Sequence, residues 1–501
     1  MIEIKTKFSL LVFCLVILLP VLLAANNIAV SNPVLTAPVI ADKYVKVQFN
    51  LSWENSWRAS SGPSNWDAAW VFVKYRVSGG DWQHATLHSS GHSGGTGTST
   101  TVTPAADGTG AFIYRDSVGS GAFAITGAQL RWDYGVNGVA DNAVVDIRVF
   151  AIEMVYVPQG AFALGSGGKE VGGFYKYPTT TNTYSVSSEA EITVGTGAGN
   201  LYYPYELGYS GDRTGPVPAA FPKGYNAFYC MKYEISQQQY VDFLNSLTTT
   251  QASNRYSFSS SGWRYGILVA SGVYTTFNPY VACNYLSWMD GAAYSDWAGL
   301  RPLTELEYEK ACRGTLTPEY YEYAWGEGGI AGWSGGEYNL SNVGANNEGI
   351  ATNYSTGAGN ANWHRTNSGY YDLLGPMRVG IFAANSSNSG RVTAGASYYG
   401  IMELSGNLWE RPVTIGNVTG RGFTGLHGNG ALSINGYANV TAWPGLSSEE
   451  VTGAIGAGFR GGSWQAYESH LRVSGRGSAA NTLTDRHVGY GFRAARLGPA
   501  S

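Results

Sequence analysis

Apolar and polar residues alternate in short runs through residues 27–151. Val45, Val47, Phe49, Leu51 and Trp53 occupy every second position, which is the pattern of a strand with one buried face. Further apolar or alternating runs cover residues 69–77, 111–115, 128–134 and 143–152, with turns rich in Gly, Ser and Asp between them. Strands at this spacing, without a helical period, predict an all-β sandwich over residues 27–151.

A helical period occurs only beyond this region. Ser236 is placed to cap a helix whose apolar face runs from Tyr240 to Leu247. A second helix is predicted over residues 284–297. A third begins at Thr304, which is followed three residues later by a glutamate in the pattern of a capping box, and ends at Gly314. The residues beyond the third helix predict turns and short strands, and the Gly, Thr and Tyr-rich segment 166–223 predicts a surface insertion.

The composition predicts two folded domains with many loops. The chain has 501 residues, which is more than one hydrophobic core usually organises. Charged residues make up 13% and aromatic residues 14%, and 68 glycines indicate dense turns. The net charge of -4 gives no basic surface, so nucleic acid is excluded as an expected partner.

The first 25 residues have the pattern of a cleavable secretory signal. Lys5 and Lys7 precede an apolar run from Phe8 to Leu23, and small residues follow it. Phe13 stands before Cys14, where lipidation needs a small residue, so plain cleavage is expected rather than a lipoprotein. The protein is therefore expected in the periplasm, at the cell surface or outside the cell, and it should not span a membrane after cleavage.

Several collinear motifs resemble the formylglycine-generating enzyme (sulfatase-modifying factor) family. They are the strand pair at residues 154–165, the segment Gly299–Glu307, the loop Gly406–Glu410, and the run from Phe459 to Arg496 with its Gly461-Gly462 turn. The resemblance covers residues 154–497. It implies a variation on the C-type lectin fold with few helices and many loops, so the whole chain is predicted to be α+β.

Active members of that family carry two copper-binding cysteines in the C-terminal motif and use them to oxidise a substrate cysteine. Counted from the glycine turn, these positions fall at about Leu471 and Arg476, and no cysteine occurs after Cys312. The resemblance therefore implies the fold without copper and without the oxidase chemistry. We expect an exported, non-catalytic binding or structural protein. The alternatives are a divergent enzyme of the same family that acts on an exported partner protein, and a surface-assembly component.

The resemblance also implies structural calcium, which prefers oxygen ligands. The carbonyl groups of Ser405 and Leu408 and the carboxylate of Glu410 correspond to one site. Asn342, the carbonyl of Val343 and the carboxylate of Asp372 correspond to a second site. The alternative for the first site is that Glu410 pairs with the neighbouring Arg411.

Cys230, Cys283 and Cys312 remain after signal cleavage, and export permits one disulfide among them. Cys283 and Cys312 flank two predicted helices that pack together in the family. The resemblance therefore implies a disulfide between these two.

Two groups of residues are predicted to bind a ligand, expected to be a surface glycan or a protein. Tyr467, His470, Arg472 and Arg476 surround the positions of the missing cysteines and suit hydrogen bonding and stacking; the alternative is a solvated surface. Trp57 and Trp66 lie in the Gly-Pro-containing loop of residues 55–67 and could stack on sugars, whereas Trp53 and Trp70 lie within strand patterns and are expected in the core.

Three histidines recur at four-residue spacing, at His84, His88 and His92. On a helix this spacing would stack three metal ligands on one face. The intervening Ser and Gly residues argue against a helix, so a surface loop is expected.

Overall fold

Strands dominate the fold. The computed structural model describes residues 27–206, 208–257, 262–331, 338–364 and 374–498; the predicted signal segment, residues 1–25, lies outside them. The strands of the N-terminal region are β1 (Ala29–Leu35), β2 (Val45–Arg58), β3 (Asp67–Val77), β4 (Gln83–His84), β5 (Thr96–Gly97), β6 (Thr100–Pro104), β7 (Ala111–Arg115), β8 (Gly119–Trp132) and β9 (Val145–Val157), with a 3-10 helix at Ile40–Asp42.

The later strands and the helices are short. The strands are β10 (Phe162–Leu164), β11 (Tyr175–Lys176), β12 (Tyr184–Val186), β13 (Leu201–Tyr202), β14 (Phe228–Met231), β15 (Ile267–Ala270), β16 (Val273–Thr276), β17 (Arg301–Pro302), β18 (Asn339–Ser341), β19 (Gly349–Thr352), β20 (Leu446–Ser447), β21 (Glu450–Val451) and β22 (Ala494–Leu497). The helices of the described residues are α1 (Gln237–Leu244), α2 (Thr249–Arg255), α3 (Trp288–Trp297), α4 (Glu305–Arg313), α5 (Val418–Arg421) and α6 (Glu468–Leu471). This mostly sheet structure with few helices agrees with the predicted α+β class.

Two sheets organise the N-terminal region. One has four strands in the order β1-β2-β8-β5, and the other has eight, with β17-β22-β14-β9-β3-β7-β6 in order and β4 paired to β3. The predicted alternation of β2 is confirmed, because Val45, Val47, Phe49, Leu51 and Trp53 are all buried. They belong to one hydrophobic cluster with side chains from β3, β7 and β8, so this cluster lies between the two sheets.

Strand β3 is buried on both faces. Its odd-numbered residues from Ala69 to Tyr75 belong to the cluster between the sheets, whereas Ala68, Trp70 and Phe72 belong to the core of the later region. Trp70 is fully buried, as expected, and its Nε1 donates to the carbonyl oxygen of Ala298 at 2.8 Å. Because successive side chains of a strand point to opposite faces, β3 is shared by both cores.

Strand β9 joins the two regions without a linker. It pairs with β3 from Asp67–Val155 to Val77–Val145, and its end pairs with β14, for example Val155 with Cys230. The change of pattern that the sequence shows at residues 151–154 falls inside this strand. The predicted boundary between the two regions is thus the middle of one continuous strand.

A buried ion cluster also ties the two regions together. Lys232, which follows β14, lies 3.0 Å from the Glu153 carboxylate on β9 and 3.3 Å from that of Asp67 on β3. Asp67 also accepts hydrogen bonds from the Trp53 indole and the Ser56 hydroxyl, both at 2.9 Å. Each buried charge therefore has an opposite partner, as burial in a core requires.

The helix ends follow local sequence signals. Ser236 caps α1, Thr304 forms the capping box of α4, and Gly314 is the residue after α4, all as predicted; Ser236 also forms a capping box, with Gln239. The second predicted helix is observed as α3, which begins after its own cap at Ser287.

No helix of the described residues is long and apolar enough to cross a lipid bilayer.

The segment 166–223 is not a surface insertion, contrary to the prediction. Phe174, Leu201, Tyr203, Val217 and Phe221 are buried in the core of the later region. The high Gly and Thr content suggested a loop, but the apolar residues spaced between them reach the core.

Candidate functional site

The Gly461-Gly462 turn positions the segment in which the family carries its two cysteines. Both glycines have left-handed backbone angles, φ +82° and +71°, and a Cβ on Gly462 would lie 2.5 Å from Leu471 Cδ1. Glycine is therefore required for the close approach of the turn to α6. The Ser405 hydroxyl donates to the Leu471 carbonyl at 2.7 Å and holds the end of α6 in place.

Leu471, at the first of the two cysteine positions, is fully buried. It lies in a small cluster with the rings of Tyr323, Trp325 and Trp363. An apolar side chain in an aromatic cluster supplies no metal ligand and no nucleophile. This position therefore contributes packing.

Arg476, at the second position, is also fully buried. Its Nε and Nη2 donate to the two carboxylate oxygens of Glu305 at 2.7 and 3.0 Å, and its guanidinium lies 3.9 Å from the Phe174 ring centroid and 4.2 Å from that of Tyr203. Phe174 and Tyr203 come from the segment that the sequence placed on the surface. Arg476 is thus enclosed by the core and does not face a ligand, which corrects its predicted place in the binding group.

The Arg476–Glu305 pair is one end of a buried ion network. The network alternates three arginines and three glutamates in the order Arg476, Glu305, Arg460, Glu309, Arg313 and Glu322. Three of its members share one face of α4, because they are spaced four residues apart. Burial alone would raise the pKa of Glu305, but Arg476 and Arg460 hold it below its ordinary value. Two arginines therefore match the Glu305 carboxylate.

Beside these buried residues lies a partly exposed patch, named here the aromatic face, which consists of Tyr321, His364, Trp409, Tyr467, His470 and Arg472. Tyr467 is 64% exposed, and its ring lies 4.7 Å from that of His364. The Arg472 guanidinium lies 4.4 Å from the Tyr321 ring centroid, and its Nη2 lies 3.3 Å from the half-exposed Glu468 carboxylate. The structure thus brings together three of the four predicted residues of this group.

His470 completes the aromatic face as a neutral imidazole. Its ring meets the Trp409 ring edge to face at 5.5 Å, and burial lowers its pKa. Near neutral pH it therefore offers one donor and one acceptor. The sequence pointed to Trp409 only as part of a loop motif, and no local signal marked Tyr321 or His364, because they reach this face from distant segments.

Trp57 and Trp66 lie in different environments. Trp57 lines a cavity of about 440 Å³ together with Tyr398 and Met402, and Lys232 Nζ lies 4.8 Å from its ring. Trp66 stacks on Tyr156 at 4.0 Å and donates from Nε1 to the Tyr229 hydroxyl at 3.0 Å. Trp57 therefore reaches a cavity, whereas Trp66 packs at the junction of the two regions.

The predicted calcium loop is organised around a second glutamate. Glu234 accepts hydrogen bonds from Asn407 Nδ2 at 2.5 Å and from the Leu408 backbone at 2.8 Å. Glu410 is buried and pairs with Arg493 at 2.7 Å, not with Arg411.

One carboxylate oxygen at this loop is available to a calcium ion. Glu410 Oε2 is buried and has no hydrogen-bond partner among the described residues, so it could join the Ser405 and Leu408 carbonyl groups as a calcium ligand. The other oxygen already accepts from a guanidinium. Of the second predicted site, Asn342 and Val343 lie in an exposed turn, and Asp372 lies outside the described residues.

The cysteines correct another prediction. Cys230, Cys283 and Cys312 are free and buried. Cys283 belongs to the large core around α1 and α3, whereas Cys312 belongs to a different cluster together with Cys230. The predicted Cys283–Cys312 disulfide is therefore wrong, because the two thiols lie in separate parts of the core.

The three spaced histidines also diverge in the structure. His88 and His92 are both partly buried in irregular chain between β4 and β5, as a loop predicts. His84 instead lies in β4, and its Nε2 lies 2.6 Å from the Thr109 carbonyl oxygen.

The mostly sheet fold, the glycine turn and the loop Gly406–Glu410 together agree with the family that the sequence motifs resemble. The sulfatase-modifying factor enzyme 1-like domain matches residues 147–497, and the chain belongs to that family. No curated protein matches the chain.

Proposed function

We propose that this chain is a non-catalytic binding protein whose aromatic face holds the ligand. The observation that carries the proposal is the pair of buried residues, Leu471 and Arg476, at the two cysteine positions. Neither side chain can form the thiolate that binds copper and reacts. The polar and aromatic side chains next to them remain at the surface.

The aromatic face has the chemistry of a recognition surface. Tyr467 presents an exposed ring for stacking, and Arg472 presents a planar group with several donors. His470 adds a neutral donor and acceptor. These groups suit a surface glycan, whose hydroxyl groups need donors and whose ring faces stack on aromatic side chains, or an extended protein segment.

The test is a binding screen of the purified chain against glycan and peptide arrays. Joint Tyr467→Ala and Arg472→Ala substitution should abolish binding while the melting temperature changes little, because both side chains are partly or largely exposed. The matched control is Tyr44→Ala with Arg131→Ala, since Arg131 lies 4.1 Å over the Tyr44 ring in the N-terminal region. Binding that survives the first pair of substitutions would overturn the proposal, and binding lost through Trp57→Ala instead would assign recognition to the cavity beside Trp57.

We propose further that the protein is exported. The basic, apolar and small-residue pattern of residues 1–25 supports export. Mass spectrometry of the N-terminus after cell fractionation tests it. A mature chain that starts shortly after Ala25 outside the cytoplasm is expected, and an uncleaved chain in the cytoplasm would contradict it.

A further inference from the structure

A second cavity, of about 460 Å³, lies between the N-terminal sheet and the helices of the later region. Its walls come from β3, β4 and Trp82 on one side, and from α2, the end of α3 and the loop of residues 429–432 on the other. It shares no lining residue with the aromatic face. Its volume falls in the range that holds small-molecule ligands.

Lys74 is the single charged side chain among the residues that line this cavity. It follows Trp70 and Phe72 on the face of β3 that packs against the later core, and it is 2% exposed. Its Nζ donates to the Gly430 carbonyl oxygen at 2.6 Å and lies 5.3 Å from the Trp297 ring centroid. Its contacts are one carbonyl oxygen and a ring face, and no carboxylate of the described residues forms a salt bridge with it.

The groups around Lys74 do not neutralise it. His84 stays uncharged, because burial and the neighbouring Lys74 lower its pKa to about 3. The Asp296 carboxylate, which favours the charged form of Lys74 electrostatically, accepts from the backbone N–H groups of Asn429 and Asn439 at 3.0 and 3.1 Å, and it does not line the cavity. Burial lowers the pKa of Lys74 to about 7, as expected for a cation that lacks a close partner.

Further donors line the same cavity. Trp297 Nε1 is buried and has no acceptor among the described residues. Asn429 accepts from the Ala431 backbone through Oδ1 at 2.9 Å, which leaves its Nδ2 hydrogens for a ligand. Trp82 lines the wall, and the Arg148 guanidinium lies 4.4 Å from its ring.

We propose that this cavity binds a sugar acid, with the carboxylate on Lys74 and the hydroxyl groups on the surrounding amides and indoles. One buried ammonium matches one negative charge, whereas a phosphate dianion would leave charge uncompensated in a buried site. Amide donors together with aromatic walls suit a hydroxylated ring. The sugar acid could be free or could be the end of an acidic polysaccharide.

The experiment is isothermal titration calorimetry of the full purified chain with glucuronate and galacturonate. Glucose and galactose serve as neutral partners that lack only the carboxylate, and an oligogalacturonate distinguishes a polymer end from a free acid. The acids should bind with a Kd on the order of 1 mM or below. The neutral sugars should bind at least about tenfold more weakly, because they leave the ammonium group unpaired.

Three substitutions assign the binding to this cavity. Lys74→Met should abolish acid binding, Trp297→Phe should weaken it about threefold to tenfold through loss of one N–H donor, and the exposed Lys43→Met is the matched control that should bind normally. If Lys74→Met does not fold, the Trp297→Phe and neutral-sugar results decide. Equal binding of acids and neutral sugars, no acid binding by the unchanged chain, or a folded Lys74→Met protein that still binds would each overturn the proposal.

Discussion

Arg476→Met tests directly whether the arginine at the second cysteine position has a structural role. Arg476 donates twice to Glu305 and also donates from Nη1 to the Gly172 carbonyl at 2.9 Å, all in a fully buried setting. Removal of one partner of a buried ion pair costs about 3 to 5 kcal/mol. Arg460 still neutralises Glu305 at 3.1 Å in the variant, so we expect a loss near the lower end, about 3 kcal/mol.

Urea denaturation followed by circular dichroism measures this loss as a change in the free energy of unfolding. Arg472→Met is the matched control, because its pair with Glu468 is half exposed and should contribute less than about 1 kcal/mol. The double variant Arg476→Met with Glu305→Gln should lose less than the sum of the two single variants, since the two groups contact each other. A loss below about 0.5 kcal/mol for Arg476→Met, or additive losses in the double variant, would refute the structural role of this arginine.

Four further outcomes are expected. A sulfatase-motif peptide incubated with the protein, copper and oxygen should show no aldehyde by mass spectrometry, because neither cysteine position holds a thiol; detectable aldehyde would refute this. Calcium at a hundredfold excess over its Kd should raise the free energy of unfolding by about 2.7 kcal/mol, and Glu410→Gln should reduce that gain; identical melts with calcium, with chelator and for the variant would remove the calcium site. Alkylation of the unfolded mature protein without reductant should label Cys230, Cys283 and Cys312, and a protected pair would contradict the free thiols. Burial raises the pKa of Glu403 from 4.5 to about 7. The contribution of Glu403 to stability is therefore full below the pKa of the unfolded chain and is lost as the pH rises through about 7. In urea denaturation, Glu403→Gln should reduce the fall in unfolding free energy over this pH range; an unchanged fall would contradict the role of Glu403.

The sequence predicted the elements whose causes are local. The caps at Ser236 and Thr304 act within three residues, and the alternation of β2 reports directly on one buried face. Tyr467, His470 and Arg472 were predicted as one group because they follow closely on the glycine turn, and they lie on one face of the structure. Each of these signals lies within a short stretch of chain.

The features that the sequence missed depend on contacts between distant residues. The burial of Arg476 depends on Glu305, and its pair of aromatic neighbours comes from a Gly-rich segment that looked like a surface loop. The separation of Cys283 from Cys312 depends on which cluster each helix end enters. Spacing along the chain carries no information about such pairings.

Strand β9 also determines how this protein can be divided. A cut near residues 151–154 would split β9. Its end would stay paired with β14 but would lose β3 as its other neighbour, and such an unpaired strand edge invites association with other chains. The N-terminal part would in turn lose the partner of Asp67 and the cation that neutralises it, Lys232. The two regions are therefore not independent domains that can be exchanged separately. Any recombination that replaces the N-terminal sheet must carry the whole of β9 with it.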